Sequence, residues 1–512
     1  MSTSTPGIDE GIGTPTPSWK LGPFDVRIPF LHYRFEFADF SQGLIMCAVD
    51  LAAIPLITEA VGMPFEMAIA IVLMNGFLYL LHALLGDPVV PGWITPAVPL
   101  LLVYLHSFPE DERVWALVAF QLLLGAFSMT LGITGWASKV VQFVPGSIRA
   151  GVIMGAGLAA VIQVFGEDGK FHSFPITISV LLAVAFFIMY SKAFAKLRAK
   201  SKGWRLVGSL GIIPAIFLAV IVAPLAGESP WPSLELGFSS PDFIGLWQNY
   251  TVFGLGFPPL SMFVTAIPTV LAAYIVVFGD VLQAKAVLHE ADHVRTDEAV
   301  VYDPNRAHML FGVRNVIMSI IGPDACMCGP LWAAMHVVMV ERFKQGRKAM
   351  QSIFGGTFSF RIGCQTGIML LPIVTLVQPI LPVALALTLV IQGFVSVRVG
   401  IMEAKNQRDL GIAGVVAAIL AIQGATWGFA AGIILVAVIY GRDFFKEQRD
   451  GTLRQFDEIP EEELQAHHLA SSRVSFSFDE DDNSETAPSL GDLDSDCRPI
   501  DPDSTKSAHG KK

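Results

Sequence analysis

Asp50 and Asp280 each interrupt an apolar run, Met46-Cys47-Ala48-Val49-Asp50-Leu51-Ala52-Ala53-Ile54-Pro55 and Ile275-Val276-Val277-Phe278-Gly279-Asp280-Val281-Leu282-Gln283. A carboxylate at membrane depth is costly, so its presence points to a role in solute or ion handling. Asp50 is too short to snorkel from mid-span. It either lines a polar cavity or caps a neighbouring helix break. Asp280 could accept a proton or hydrogen-bond an N–H of a solute. It stands about 19 residues from Ser261, roughly 28 Å along a helix. It therefore meets water at the far surface if its helix ends there, and faces a site if the helix continues through Ala286. His336 adds a third titratable group, read as bundle hydrogen bonding or as a proton relay. Trp93 and Trp332 could stack on a flat ring or simply pack. Gln42, Asn75 and Gln163 are candidates for interhelical hydrogen bonding. Cys326-x-Cys328 has no local His or carboxylate pair, so packing is preferred over metal binding and no metal or cofactor is expected.

Two Gly/Pro breaks must position these groups. Pro91-Gly92-Trp93-Ile94-Thr95-Pro96 opens the short apolar segment Ala97 to Tyr104. Gly322-Pro323-Asp324-Ala325-Cys326-Met327-Cys328-Gly329-Pro330 opens Leu331 to Val340. Irregular backbone at membrane depth exposes N–H and C=O groups that lipid cannot satisfy, so it survives only where protein or a water-filled site covers it. Paired breaks in corresponding halves point to a transporter's binding site. The spacing places free N–H groups and the positive dipole ends of two half-helices at Thr95, Pro96, Ala97 and Val98, and at Gly329, Pro330, Leu331 and Trp332. Facing one another, these ends would hold an anion or a ring carbonyl.

The composition fits such a membrane body. The 512 residues are 53% hydrophobic and 15% charged, with mean hydropathy +0.56, whereas soluble domains carry about 25% charged residues. Fourteen spans are expected, near 42–62, 66–85, 96–106 (half), 114–135, 147–165, 174–191, 206–226, 262–284, 308–322, 330–342 (half), 357–378, 380–402, 409–423 and 424–441. The breaks then open spans three and ten, equivalent positions if the chain is two inverted seven-span repeats. Val144-Pro145-Gly146-Ser147 before span five and Ile380-Leu381-Pro382-Val383 before span twelve echo one another. The fold class is all-α and polytopic, with spans 1–4 and 8–11 as a core and 5–7 and 12–14 as a gate.

Charge sets the expected orientation. Lys192, Lys196, Arg198, Lys200, Lys202 and Arg205 form a loop with no acid, while 227–261 carries Glu228, Glu235 and Asp242 without Lys or Arg. Basic residues favour the cytoplasmic side, so both termini are expected there, in the inner or plasma membrane. Residues 1–40 form an N-terminal cytoplasmic segment without a signal-peptide core, and 41–441 the membrane domain. From Asp443 onward the chain has 18 acidic against 8 basic residues, so nearly all of the net charge of −11 lies in the 442–512 tail. That composition reads as disordered.

Gln42 followed by Pro55, Asp280 in Phe278-Gly279-Asp280, and the run Asn305-Arg306, Gly312, Gly322, Cys328-Gly329-Pro330 resemble the nucleobase/ascorbate (xanthine/uracil) permease family. The resemblance implies that Asp280 holds a nucleobase and that H+ or Na+ coupling runs through Asp280, Asp50 or His336. One position departs. Pro330, followed by Leu331 and Trp332, stands where that family has an acidic or amide side chain. The chain is also similar to sulfate-permease-type anion transporters, in Asp39-Phe40-Ser41-Gln42-Gly43-Leu44, Gly312 to Asn315 and Gly346-Arg347, but without their C-terminal regulatory domain. Both resemblances imply the same fourteen-span fold, alternating access, and a homodimer formed through the gate. The leading expectation is a nucleobase-type solute. The alternative is a sulfate- or bicarbonate-type anion, which suits a site built of backbone dipoles. A channel or non-transporting sensor is a further alternative. Nothing suggests an enzyme or a nucleic-acid partner.

Overall fold

The computed structural model describes residues 13, 15–137, 139, 144–292, 294–404 and 406–441. The acidic tail expected over 442–512 lies outside the described residues. A short hairpin, β1 (Trp19–Leu21) and β2 (Phe24–Val26), precedes the helices. It is tied to the bundle by Arg27 N–H donating to Leu84 O (2.8 Å) and by an Arg306–Asp25 ion pair (2.9 Å).

Helices α1 (Phe37–Val61) and α2 (Phe65–Leu84) follow, then strand β3 (Gly92–Trp93) and the short α3 (Thr95–Leu105). Next come α4 (Arg113–Thr134), α5 (Gly146–Phe165), α6 (Pro175–Tyr190), α7 (Lys192–Lys200), α8 (Lys202–Ser209) and α9 (Ile213–Leu225). The second half holds α10 (Leu260–Asp292), α11 (Pro304–Ile321), strand β4 (Cys328–Gly329) and α12 (Ala333–Lys344). It closes with α13 (Ile353–Met369), α14 (Leu381–Glu403), α15 (Gln407–Gln423) and α16 (Ala425–Tyr440). Every expected span overlaps a helix. Among the described residues, six helices are long and apolar enough to cross a membrane, or seven if α6 and α7, bent by 61°, count as one span.

Local chemistry explains the boundaries. Pro55 lacks the N–H that would bond back one turn, and α1 is interrupted at Ala52. Asp303 accepts from the Asn305 and Arg306 amides at the start of α11, where Pro304 takes the first helical position. Glu228 does the same for α6 from a distant loop, accepting from Ile176 N (2.7 Å) and Thr177 N (2.9 Å).

Two sets of helices emerge from the packing. In one, α1 lies along α13, α4 along α11, and α10 against α4 and α12. In the other, α5 packs on α14 and α15, α15 on α16, and α6 on α9. Glycine permits the closest crossings. A Cβ on Gly43 of α1 would sit 2.1 Å from Phe360 O of α13, and one on Gly363 2.1 Å from Phe40 O. Such small-residue contacts are how helices associate where lipid offers no hydrophobic drive.

Candidate functional site

The two breaks find each other. β3 and β4 pair antiparallel, Gly92 opposite Gly329 and Trp93 opposite Cys328. This is a departure from an all-helical membrane body, and its cause is physical. Extended backbone at this depth has bare polar groups, and each break satisfies the other's. Trp332 N–H extends the join by donating to Val90 O (2.7 Å). Both glycines are required by the approach. A Cβ on Gly92 would lie 2.8 Å from Trp332 Cβ, and one on Gly329 2.8 Å from the Trp93 carbonyl carbon. Met327 completes the turn into β4 with φ of 60°, in the left-handed region that non-glycine residues rarely occupy.

The half-helix openings differ in detail from the sequence expectation. In α3 the first turn is a 3₁₀ turn, and the Ala97 and Val98 amides bond to Ile94 O and Thr95 O. Of the amides expected free there, only that of Thr95 has no partner among the described residues, since Pro96 has none to give. In the second break Gly329 belongs to the strand, Pro330 lacks an N–H, and the Trp332 amide is taken. The helix itself starts at Ala333, so its free amides belong to Ala333, Ala334 and Met335.

A cavity of about 220 Å³ opens in front of these ends. Its wall includes Thr95, Pro96, Leu331, Trp332, Asp50 and Asp280, all singled out from sequence, together with Trp93 and Ala333 to Met335. The opposite wall comes from α5, α6, the α8–α9 turn and α14, with Thr388, Gln392 and Ser396 as its polar groups. Mostly apolar lining with a few polar groups is the usual form of a small-molecule site. Ala97, Gly329 and Pro330 are buried behind the wall rather than on it. His336 is also fully buried off the cavity, with Nδ1 3.4 Å from the Val90 amide.

Asp280 reaches the wall because α10 runs to Asp292, well past Ala286. Its carboxylate has no hydrogen bond or ion pair among the described residues. Asp50 is different. Its Oδ2 is 3.4 Å from Arg361 Nη1, and Arg361 is wholly buried. The Arg361 guanidinium lies 3.9 Å from the Tyr79 ring centroid and 5.0 Å from that of Trp332. Arg314 faces the same Tyr79 ring at 4.3 Å, donates to Gly329 O (2.9 Å) and Asn75 Oδ1 (3.0 Å), and lies 3.1 Å from His82 Nε2. Asn75 in turn donates to Asp324, whose amide bonds to Gln121 Oε1. Asn315 Nδ2 donates to Cys328 O (2.7 Å), and Asn315 Oδ1 accepts from the Cys328 amide (3.0 Å). A buried polar scaffold therefore holds the strand pair from behind. Arg314, Arg361, Asp324, Gln121 and Asn315 were missed as site residues. The signal was there: both arginines interrupt apolar helices just as Asp50 and Asp280 do.

No family model matches the chain, and no curated protein matches it in sequence. Solved structures do match its fold. The transmembrane domain of the cyanobacterium bicarbonate transporter BicA is similar at TM-score 0.51 and 15% identity, over 78% of this chain and 99% of that one. The murine Slc26a9 anion transporter in its inward-facing state gives TM-score 0.48 and 14% identity, over 80% of this chain and 68% of that one. A further SLC26A9 structure gives TM-score 0.47 and 15% identity, over 79% and 65%. The chain thus has the fold of a multi-pass membrane transporter domain. The resemblance to nucleobase permeases gains no support from these structures.

Proposed function

We propose that the chain is a secondary transporter for a small anion of the bicarbonate or sulfate class, moved together with H+ or Na+ by alternating access. The observation that carries this is the strand-joined pair of helix openings. They present the Thr95 amide on one side and the Ala333 to Met335 amides on the other to a single cavity. Backbone N–H groups and dipole ends favour negative charge without needing a cationic side chain. The bicarbonate transporter whose transmembrane domain is similar in fold agrees with that chemistry. Asp280 supplies the coupling argument: an unpaired carboxylate on the wall repels an anion, so a proton or Na+ must accompany the solute. Fourteen spans in two inverted repeats, both ends in the cytoplasm, complete the reading. The α1–α4 and α10–α13 set would carry the site past the α5–α9 and α14–α16 set.

Asp280 favours a second reading. Beside Trp93 and Trp332 it could instead hold the N–H edge of a nucleobase. Uptake into proteoliposomes under imposed pH and Na+ gradients, with labelled bicarbonate, sulfate, uracil and xanthine, separates the two. Saturable, gradient-driven anion uptake is expected. Nucleobase uptake alone would replace the anion reading, and non-saturating ion flux would make the protein a channel.

A further inference from the structure

We infer that the α7–α8 connector docks on anionic lipid headgroups and so sets the position of one cavity wall. The docking stands on its own; its consequence for transport rests on the function proposed above. From Ser191 to Ile212 the chain has no acidic residue. Ser191 caps α7 through the Ala193 and Phe194 amides and turns it 61° from α6. Along a bilayer normal, nine residues bent that far climb only about 6–7 Å from the end of α6, within the ~8 Å over which charge acts at physiological salt. The helix therefore stays beside the headgroups.

Its faces divide to suit. Lys192, Lys196 and Lys200 stand four residues apart on one stripe and are all exposed. None has an ion-pair partner among the described residues. Phe194, on the opposite side, is buried, with its ring centroid 5.7 Å from Phe187 and 5.9 Å from Trp204. Trp204 is itself 45% exposed, as suits a ring at the membrane–water boundary. A cationic stripe with an aromatic anchor complements an anionic lipid surface.

The connector touches the cavity at both ends. Met189, at the end of α6, and Leu210, Gly211 and Ile212, after α8, all line it. Gly211 has φ of 60°, a left-handed turn that joins α8 to α9 and itself stands on the cavity wall.

Hydrogen exchange of the full chain in nanodiscs tests the docking without any transport assay. Amides of 192–209 should exchange at least about five-fold more slowly when phosphatidylglycerol is added to phosphatidylcholine. The K192Q/K196Q/K200Q variant should lose this protection, and the triple Lys→Arg variant should keep it. Equal exchange in the two discs, or protection surviving the glutamines, overturns the inference. So does protection that ignores lipid and vanishes in high salt, the signature of the chain's own acidic 442–512 tail occupying the stripe. Parallel uptake measurements separate the two claims. Lipid-dependent protection without anion uptake would fail the transport reading alone, and uptake with lipid-indifferent exchange would fail this one alone.

Discussion

Asp280 and Asp50 are both carboxylates on one cavity wall, yet their surroundings assign them different work. Among the described residues nothing neutralises Asp280, which is why the proposed coupling to a proton or Na+ is assigned to it. Asp280→Asn should abolish gradient-driven uptake while sparing solute exchange, and driven uptake at the wild-type rate would sink the coupling role. Asp50 is neutralised by Arg361, which is packed between the Tyr79 and Trp332 rings. Arg361→Met would leave the Asp50 charge without its buried partner, a loss of about 3–5 kcal/mol. Thermal unfolding in detergent should show it, with Arg361→Lys a poor substitute because an ammonium cannot lie flat between two rings. The Asp50→Asn/Arg361→Met double variant should recover part of the loss, and failure to recover would mean that packing rather than charge dominates. Carboxylates in apolar runs were legible in the sequence. Arg314 and Arg361 in apolar runs carried the same signal, but their pairing did not, because the partners arrive from distant segments and only the folded chain shows that Arg361 meets Asp50.

The strand pair is the element on which the site depends. Its breaks are readable from Gly and Pro at membrane depth, but their pairing is not, since register follows from tertiary contact rather than local pattern. The same limit explains why the opening of α12 was expected at Gly329 and falls at Ala333: the intervening residues are spent on the ladder and on Val90. Gly329→Val should cost about 1–3 kcal/mol by overpacking against Trp93. It should raise amide exchange in 90–95 and 327–332 together. Exchange rising in one segment only would argue against a cooperative pair. A second element-level prediction concerns α6. Burial raises the Glu228 carboxyl, but its hydrogen bonds to Thr177 and Ile176 outweigh that and hold it below the ordinary glutamate value of 4.5. A depressed acid stabilises the fold above its unfolded pKa and ceases to do so as pH falls through the folded one. Glu228→Gln should therefore lower thermal stability at neutral pH, with the gap to wild type closing in acid. A gap of constant size would show that the carboxylate charge is not what caps the helix.

At the scale of the molecule, the cavity lies where the two helix sets meet, and the proposed alternating access would have those sets move past one another. The helical, membrane-spanning character of the apolar segments was legible because most are apolar and flanked by polar or charged residues, and every expected segment overlaps a helix, although among the described residues only six or seven are long enough to cross a membrane. Which helices pack together was not legible, because the packing of α1 on α13 or α5 on α14 depends on glycines whose neighbours the sequence does not name. Thr95 from one set and Gln392 from the other face the same cavity. The described cysteines, Cys47, Cys326, Cys328 and Cys364, are all buried, and Cys497 can be replaced by serine, so an introduced pair would be the reactive one. Joining Thr95→Cys to Gln392→Cys with a short bifunctional thiol reagent should stop uptake beyond the loss that a monofunctional reagent of the same size causes in the same double variant. Solute binding to the joined protein should persist from whichever side the cavity is open. Continued uptake through the joined protein would mean that the two walls do not move apart, and the alternating-access reading would give way to a channel between fixed helices.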